Sequence, residues 1–343
     1  MPAPLLPEFR IGPRTIGPGH PCYVVAEAGS NHNGDLALAM KLIDVAADAA
    51  CDAVKFQVFR PEELVTRSGP RAAYLDTLMA QGESLYDLFS KTAMDRDWLP
   101  ALAEHCRERG VCFLATPFDM DAIDRLASPA VGAPALKNAS SELWHLPLLR
   151  HAAATGLPLL VSTGMAELED IDQALEAVTE AGGTQVALLH CTVSYPTPPD
   201  ALNLRAMHTL RDRFGVPVGL SDHSLGIWAS VAAVAMGADV IEKHLTLDRD
   251  LEGPDQPFAV EPDELAEMVR QIRDVERGLG DGVKERHPVE EEVYRIGRRN
   301  VVATTDLEAG AVLGASHVAV LRSPLGIAPR DLNAVIGTTL ARP

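Results

Sequence analysis

The sequence predicts a (β/α)8 TIM barrel followed by a small C-terminal domain, on two observations. First, eight short apolar runs typical of buried parallel strands alternate with segments of helical periodicity from residue 22 onward. Second, glycines such as Gly110, Gly156 and Gly237 end several of the helical segments, as expected at helix C-termini. A doubly wound sheet is the alternative fold, but no Gly-x-Gly-x-x-Gly follows the first strand.

Each element follows from its local pattern. Runs of apolar residues predict strands over residues 22–28, 53–58, 111–116, 133–137, 157–162, 186–191, 217–221 and 239–244. Apolar residues at helical spacing predict helices over residues 35–49, 95–109, 120–126, 146–155, 169–181, 204–213, 226–236 and 264–277.

The chain divides into three predicted segments. Residues 1–277 form the barrel with a short N-terminal extension. Residues 278–295 are charged and contain glycine and Pro288, which is typical of a linker. Residues 296–343 contain short β-like runs and turns, and are too few for a catalytic domain. We expect them to form a compact lid or binding module.

Composition excludes several classes of function. The net charge of −18 argues against nucleic acid and anionic membranes as partners, since both require a basic surface. No apolar stretch is long enough for a transmembrane helix, and the N-terminus lacks a signal-peptide pattern. The five cysteines are odd in number and lack CxxC spacing, so we expect reduced, mostly buried thiols in a cytoplasmic protein.

Two histidines follow adjacent predicted strands and indicate a metal site. His223 and His244 each come two residues after an inward-facing polar residue, Ser221 and Glu242. A single histidine at a strand end is more often a satisfied polar core residue, but two on neighbouring strands favour a ligand pair. Imidazole suits Mn, Fe, Co or Zn, and two nitrogens leave positions for substrate and water. Glu27 or Glu242 would complete or orient the ligand shell.

Lys55 and Lys137 lie inside apolar strand-like runs, where lysine is seldom buried without a partner. With the hydroxyls of Thr116, Ser140 and Ser221, they indicate a site for phosphate or carboxylate. Ser140 has an alternative role as a helix cap. By strand alternation Lys243 faces the outer helices and is left out of the site, and residues 221–223 cannot form a hydrolase triad.

Two loops have two interpretations each. Residues 30–35 form either a turn with a helix cap or a mobile wall of the barrel mouth. The proline-rich residues 195–199 either present Tyr195 to a substrate or only fix the path of the chain.

Motifs along nearly the whole chain resemble those of the sialic acid synthase family. They cover residues 27–34 (EAGSNHNG), 54–57 (VKFQ), 115–118 (ATPF), 137–142 (KNASSE), 162–165 (STGM), 189–192 (LHCT), 195–198 (YPTP), 219–223 (GLSDH) and 242–244 (EKH). The C-terminal segment resembles the antifreeze-like (SAF) domain of that family.

The resemblance implies a metal-dependent condensation of phosphoenolpyruvate with an open-chain amino sugar aldehyde, giving a nine-carbon 2-keto-3-deoxy acid and phosphate. It implies Mn²⁺, or Mg²⁺ or Co²⁺, on His223 and His244. Its implied phosphoenolpyruvate ligands are Lys55, Thr116, Lys137, Ser140 and Ser221. Glu27 would serve the intermediate or deliver water. Its implied sugar ligands are Gln57, Glu142, Tyr195 and Asp255, joined by Arg322 from the C-terminal domain of the partner in a domain-swapped homodimer. We expect Glu242 to be a further substrate-binding residue.

Two departures from the family pattern concern the acceptor. Residues 322–326 read Arg-Ser-Pro-Leu-Gly where the family has Arg-Pro-Gly-x-Gly, and Val193 replaces an asparagine. We therefore keep open a related synthase that uses a non-standard aldehyde in secondary metabolism. The rival functions are a Schiff-base aldolase on Lys55 or Lys137, a non-catalytic sugar-binding protein and, last, a barrel amidohydrolase.

Overall fold

The computed structural model describes residues 3–68 and 83–343. The chain divides into two compact units, Met1–Gly280 and Asp281–Pro343. The first unit contains a closed barrel of eight parallel strands, which confirms the predicted fold class.

The barrel strands run in chain order around the barrel, and the last closes on the first. They are β3 (Tyr23–Gly29), β4 (Ala53–Val58), β5 (Cys112–Pro117), β6 (Leu136–Asn138), β7 (Leu159–Ser162), β8 (Val186–Cys191), β9 (Val218–Asp222) and β10 (Val240–His244).

Strand β6 is shorter than predicted. The sequence pattern placed a strand over residues 133–137, whereas the strand covers only Leu136–Asn138. Pro134 lies in the predicted run, and because proline has no N–H it cannot donate to a neighbouring strand. Pairing therefore begins after it, with Leu136 opposite Leu159.

The helices pack outside the barrel, and every predicted barrel helix is present with ends shifted by a few residues. Two helices after β4, α2 and α3, were not predicted. Among the described residues, the α-helices of the first unit are α1 (Leu36–Asp48), α2 (Pro61–Leu64), α3 (Leu85–Thr92), α4 (Leu99–Arg109), α5 (Met120–Ala127), α6 (Leu146–Ala154), α7 (Leu168–Glu180), α8 (Ala206–Phe214), α9 (Trp228–Ala235) and α10 (Pro262–Leu279).

A hairpin that was not predicted closes the amino-terminal end of the barrel. Strands β1 (Phe9–Ile11) and β2 (Arg14–Ile16) pair antiparallel. Phe9, Ile11 and Ile16 are buried in one cluster with the inward residues of the barrel strands, such as Tyr23 and Val25. These side chains fill the barrel interior at its amino-terminal end, which leaves the carboxyl end for a site.

The second unit is built on a two-stranded antiparallel sheet. Strands β11 (Arg299–Ala303) and β12 (Val318–Arg322) pair with Arg299 opposite Arg322. Helix α12 (Leu332–Val335) follows them, and helix α11 (Glu291–Gly297) lies in the segment predicted as a linker.

The five cysteines are free thiols, and all except Cys112 are buried. Within the described ranges, no helix combines the length and apolar character that crossing a bilayer requires.

Candidate active site

A cavity of about 420 Å³ opens at the carboxyl ends of the barrel strands. This volume is in the range of small-molecule sites. It is lined by every barrel residue that the sequence analysis assigned to the site. These are Glu27, Lys55, Gln57, Thr116, Lys137, Ser140, Glu142, Tyr195, Ser221, His223, Glu242, His244 and Asp255.

Strand alternation brings the charged side chains into the cavity, as predicted. Glu27 and Lys55 are paired across β3 and β4, and Ser221 and Glu242 across β9 and β10. The Ser221 hydroxyl donates to Glu242 Oε1 at 3.0 Å. Every second residue of a strand faces inward, so the polar positions near the mouth follow the apolar positions below them.

Four buried charges form the floor of the cavity, and we call Glu27, Lys55, Lys137 and Glu242 the charged quartet. Lys55 Nζ lies 2.7 Å from Glu27 Oε2 and 3.7 Å from Glu242 Oε2. Lys137 Nζ lies 4.0 Å from Glu242 Oε1. Each of the four side chains is at most 6% exposed, so the quartet holds two ammonium groups away from bulk water.

The two lysines of the quartet have opposite pKa shifts. Burial disfavours both charges, but at Lys55 the carboxylates of Glu242 and Glu27 outweigh burial and raise its pKa. At Lys137 burial dominates, Glu242 offsets it only in part, and the pKa is lowered. The folded protein therefore stabilises the charged form of Lys55, whereas the charged form of Lys137 lowers the stability of the fold.

The two carboxylates of the quartet also differ. Burial raises the pKa of Glu27, and repulsion from Glu242 adds to it, so that together they outweigh the attraction of Lys55. Burial also opposes ionisation of Glu242, but Lys137 and Lys55 on either side lower its pKa. Glu27 is therefore the carboxylate that takes up a proton more readily, which suits a general acid or base.

Ser162 is a cavity residue that sequence reasoning did not assign. Lys137 Nζ donates to its hydroxyl at 2.6 Å and to the Asn138 carbonyl at 2.8 Å. Ser162 ends strand β7 and begins the 162–165 motif, so its position at a strand end was a usable signal.

The capping role for Ser140 is wrong, because its hydroxyl instead accepts from the Gly164 N–H at 3.0 Å and its helix has no side-chain cap.

His223 and His244 lie side by side at the cavity, with ring centroids 5.3 Å apart. Nδ1 of His223 is 3.1 Å from the Thr192 carbonyl, which can only accept, so Nδ1 carries the hydrogen. Burial lowers the pKa of His223, but the Cys191 thiol and the Thr192 carbonyl outweigh burial and raise it. In the neutral form of the ring, Nε2 keeps its lone pair. Nδ1 of His244 is buried without a hydrogen bond, 3.6 Å from Asp255 Oδ2.

The charge state of His244 suits a metal ligand. Burial lowers its pKa well below the usual value, and His223 and the nearby lysines lower it further. The ring is therefore neutral at pH 7, as a ligand must be. Within residues 3–68 and 83–343, no three His, Cys, Asp or Glu side chains cluster as a metal site. The protein ligands of a metal ion in the cavity would therefore be the two imidazoles.

Lys243 faces away from the cavity, as alternation predicted. Its ammonium group lies 3.1 Å from Asp222 Oδ2, and both residues are 1% exposed. The Asp222 carboxylate is therefore directed to Lys243 and not to His223, which confirms that residues 221–223 are not a hydrolase triad.

One wall of the cavity is apolar and was not predicted. Helices α2 and α3 line it, together with the segment after β5. Its residues, which we call the apolar wall, are Leu64, Val65, Leu85, Leu88, Phe89 and Phe118. The Phe89 ring packs edge to face on Phe59, with 5.2 Å between centroids, which fixes its orientation.

The rim residues lie at the end of β4, as Gln57 does, or in the segments that follow the strands. Tyr195 lines the cavity with its ring centroid 4.4 Å from that of His223, which favours its role in presenting a side chain to a substrate. Gln57 donates to Glu27 Oε1 at 3.1 Å. Burial and the nearby Glu27 raise the pKa of Asp255 to about 6. Glu142 accepts from the Ser141 hydroxyl at 3.1 Å.

Residues 30–35 form a turn with a helix cap, and Ser30 also lines the cavity, so the segment is part of the wall of the mouth as well. The Asp35 carboxylate accepts from the Ala37 N–H at 2.7 Å at the start of α1. His32 Nδ1 accepts from the Gly34 N–H at 3.1 Å. Arg322, the remaining predicted site residue, is exposed at the end of β12 in the second unit.

A sequence profile of the NeuB family matches residues 42–284, and one of the SAF domain matches residues 298–343. The N,N'-diacetyllegionaminic acid synthase of Legionella pneumophila is 38% identical, over 96% of this chain and 93% of that protein. The pseudaminic acid synthase of Campylobacter jejuni is 32% identical, over 92% of this chain and 91% of that protein.

A solved structure has the same architecture. An N-acetylneuraminic acid synthetase from Leptospira borgpetersenii superposes with a TM-score of 0.74 at 36% identity, covering 84% of this chain and 95% of that chain. The names of these three relatives specify three different acid products.

Proposed function

This chain belongs to the NeuB family, and from that premise we propose that it condenses phosphoenolpyruvate with an open-chain amino sugar aldehyde. The products are a nine-carbon 2-keto-3-deoxy acid and phosphate. The chain is thus a phosphoenolpyruvate-dependent transferase that forms a C–C bond. The observation that carries the proposal is the charged quartet, because two buried ammonium groups beside hydroxyl donors form a site for a small anion.

Phosphoenolpyruvate binds at the level of the two lysines. Lys55 and Lys137 reach the cavity from β4 and β6, and Thr116, Ser140 and Ser221 supply hydroxyl groups around them. Lys55 Nζ already donates to the Thr116 hydroxyl at 3.0 Å. Exchange of such internal partners for phosphate and carboxylate oxygens gives charge-assisted hydrogen bonds of about 1.5–3 kcal/mol each.

The enol carbon of phosphoenolpyruvate attacks the aldehyde carbon, the aldehyde oxygen takes up a proton to become a hydroxyl group, and water then adds to C2. The two protons of that water end on this hydroxyl group and on the departing phosphate. The tetrahedral intermediate expels phosphate by cleavage of the C2–O bond. Glu27 takes the proton from the attacking water, because burial raises its pKa and makes its carboxylate a stronger base. Lys55, 2.7 Å from Glu27, holds that carboxylate in place.

The imidazoles of His223 and His244 fit a divalent transition-metal ion. We propose Mn²⁺ from the family resemblance, with Mg²⁺ or Co²⁺ as alternatives. Two features support the assignment. The Thr192 carbonyl directs the hydrogen of the neutral His223 ring to Nδ1 and leaves Nε2 for a ligand bond, and the lowered pKa of His244 keeps that ring neutral. When bound, the ion would act as a Lewis acid on the aldehyde oxygen.

The apolar wall favours an acceptor with methyl groups, such as the diacetamido-trideoxy hexoses of legionaminate and pseudaminate synthesis. Leu88 and Phe89 offer hydrocarbon surface where a fully hydroxylated sugar would lose hydrogen bonds to water. Each buried methyl contributes about 0.8 kcal/mol. Two of them would raise kcat/KM more than tenfold over mannose, on the order of 15-fold.

A second copy of the chain is proposed to complete the site in a domain-swapped homodimer. Arg322 would reach the acceptor from the partner's SAF unit. We expect Arg322→Ala to raise the KM for the acceptor and leave the KM for phosphoenolpyruvate unchanged. Arg330→Ala is the matched control, because Arg330 is an exposed arginine of the same unit.

The test is phosphate release from phosphoenolpyruvate with Mn²⁺, across mannose, N-acetylmannosamine and the diacetamido-trideoxy hexoses. We expect release to be fastest with a diacetamido sugar, to stop with chelator and to return when Mn²⁺ is restored. Release that survives chelation, with a borohydride-trapped lysine adduct, would favour the Schiff-base aldolase. Binding of phosphoenolpyruvate without release on any of these sugars would point to the non-standard acceptor.

A further inference from the structure

The strands that carry the two histidines are joined on their outer face by a buried ion pair. Asp222 and Lys243 are directly opposite each other in the register of β9 and β10. One residue earlier in both strands, Ser221 and Glu242 form the matching pair on the inner face. The same two strands are thus linked inside the barrel and outside it, immediately below His223 and His244.

The Asp222 carboxylate fixes the backbone on the other side of His223. Oδ1 accepts from the Ser224 N–H at 2.8 Å and from the Ser224 hydroxyl at 2.7 Å. Oδ2 accepts from the Ser230 hydroxyl of α9 at 2.7 Å. Lys243 Nζ also donates to the Ser224 carbonyl. His223 lies between two residues that this network holds, and His244 directly follows Lys243.

A buried ion pair is not required for packing at this position. Corresponding outward positions on other strands hold Val54, Phe56 and Leu188, which are fully buried against the helices. Removing two charges from water costs several kcal/mol, and apolar residues of similar volume are often as stable or more stable. The pair therefore needs a reason other than stability.

The geometry points to Asp222 and Lys243 as positioning residues that set the spacing of the His223 and His244 rings, and so the affinity for a divalent ion. Neither side chain enters the cavity. Each acts through the backbone of the adjacent histidine and through Ser224. This inference rests on the proposed function, because it takes the two imidazoles to be metal ligands.

The test compares binding of Mn²⁺ alone, by the electron paramagnetic resonance signal of free Mn²⁺, in the full chain and its variants. We expect Lys243→Met to raise the Kd for Mn²⁺ by about 10- to 100-fold, the usual effect of removing a group that orients a ligand. The Kd for phosphoenolpyruvate, measured by calorimetry without metal, should stay unchanged.

Two further variants separate positioning from general loss of stability. Arg96→Met breaks another buried ion pair of the barrel, between Arg96 and Asp119, and should leave Mn²⁺ affinity unchanged. The double variant Lys243→Met/Asp222→Leu removes both buried charges and should restore the unfolding midpoint. We expect it still to bind Mn²⁺ weakly, because Ser224 has lost its acceptor.

Wild-type Mn²⁺ affinity in a stable double variant would overturn the positioning role and leave the proposed function intact. Equal weakening in Arg96→Met would also overturn it, since any loss of a buried pair would then have the same effect. A wild-type chain that releases phosphate but binds no Mn²⁺ would refute both the metal assignment and the role of the pair.

Discussion

We expect Lys55 and Lys137 both to bind the substrate, but only Lys55 also to stabilise the fold. Both are 3% exposed, and both belong to the charged quartet. Their pKa values nevertheless shift in opposite directions, since carboxylates outweigh burial only at Lys55. The perturbation we consider is the exchange of each lysine for methionine, which keeps the length of the side chain and removes its charge.

The effect on stability follows from the partners left behind. Without Lys55, the Glu27 Oε2 atom loses its 2.7 Å partner inside the protein, and breaking such a buried pair costs about 3–5 kcal/mol. Without Lys137, Glu242 keeps the Ser221 hydroxyl at 3.0 Å and Lys55 at 3.7 Å. Because the fold holds the Lys137 charge at a cost, we expect Lys137→Met to keep or raise the free energy of unfolding.

The effect on binding is the same for both variants. Each lysine would donate at least one charge-assisted hydrogen bond to phosphoenolpyruvate, worth about 1.5–3 kcal/mol. Loss of one such bond raises the Kd for phosphoenolpyruvate by about 10- to 150-fold. Lys137→Met should therefore be a stable protein that binds its substrate poorly, whereas Lys55→Met should lose stability and binding together.

Calorimetric titration with phosphoenolpyruvate and denaturant unfolding measure the two quantities on the same samples. Lys41→Met is the control, because Lys41 is exposed on the outer helix α1 and should change neither quantity. Binding by Lys137→Met with wild-type affinity would refute the anion site. Loss of stability in Lys137→Met as large as that in Lys55→Met would refute the inference from the pKa directions.

Three other predictions follow from the site and its surroundings. His223→Ala should reduce phosphate release to background and leave the far-ultraviolet circular dichroism unchanged, and normal release would remove the metal assignment. Phe89→Ala should raise the KM for a diacetamido sugar several-fold and leave the KM for phosphoenolpyruvate as it is; equal effects on both would contradict the apolar wall. Burial lowers the pKa of His32 to about 4, so this ring stays neutral in the folded chain while the unfolded chain binds a proton below pH 6.5. As the pH falls from 6.5 to 4, the free energy of unfolding should therefore decrease by about 1.4 kcal/mol per pH unit more than that of His32→Asn. An equal pH dependence of the two proteins in denaturant unfolding would refute this.

The strands and the charged site residues were predictable because each carries a local signal. A lysine inside an apolar run, as at Lys55 and Lys137, indicates a strand whose inward-facing lysine belongs to a functional site. A strand that alternates also tells which side each residue faces, so Lys243 could be excluded from the cavity. These inferences need only the two-residue period of a strand and the shared direction of parallel strands.

The apolar wall and the hairpin were not predictable in the same way. Helix α3 lies in a long insertion after β4, and its apolar residues look the same in sequence whether they face a core or a cavity. Strands β1 and β2 have three residues each, too few to show alternation. The contact of Lys137 with Ser162 depends on the reach of a long side chain between neighbouring strands, which no local pattern records.

The hairpin that carries Phe9, Ile11 and Ile16 closes the amino-terminal end of the barrel, so substrates reach the cavity from the carboxyl ends of the strands. Lys55 precedes Gln57 by two residues on a strand that runs toward the mouth, so it lies about 6.6 Å earlier along the strand and, with the tilt of barrel strands, about 5 Å deeper. We expect phosphoenolpyruvate to bind first, at the lysine level, with the acceptor above it. The sugar acid should then depart before phosphate, and phosphate should compete with phosphoenolpyruvate for the free enzyme.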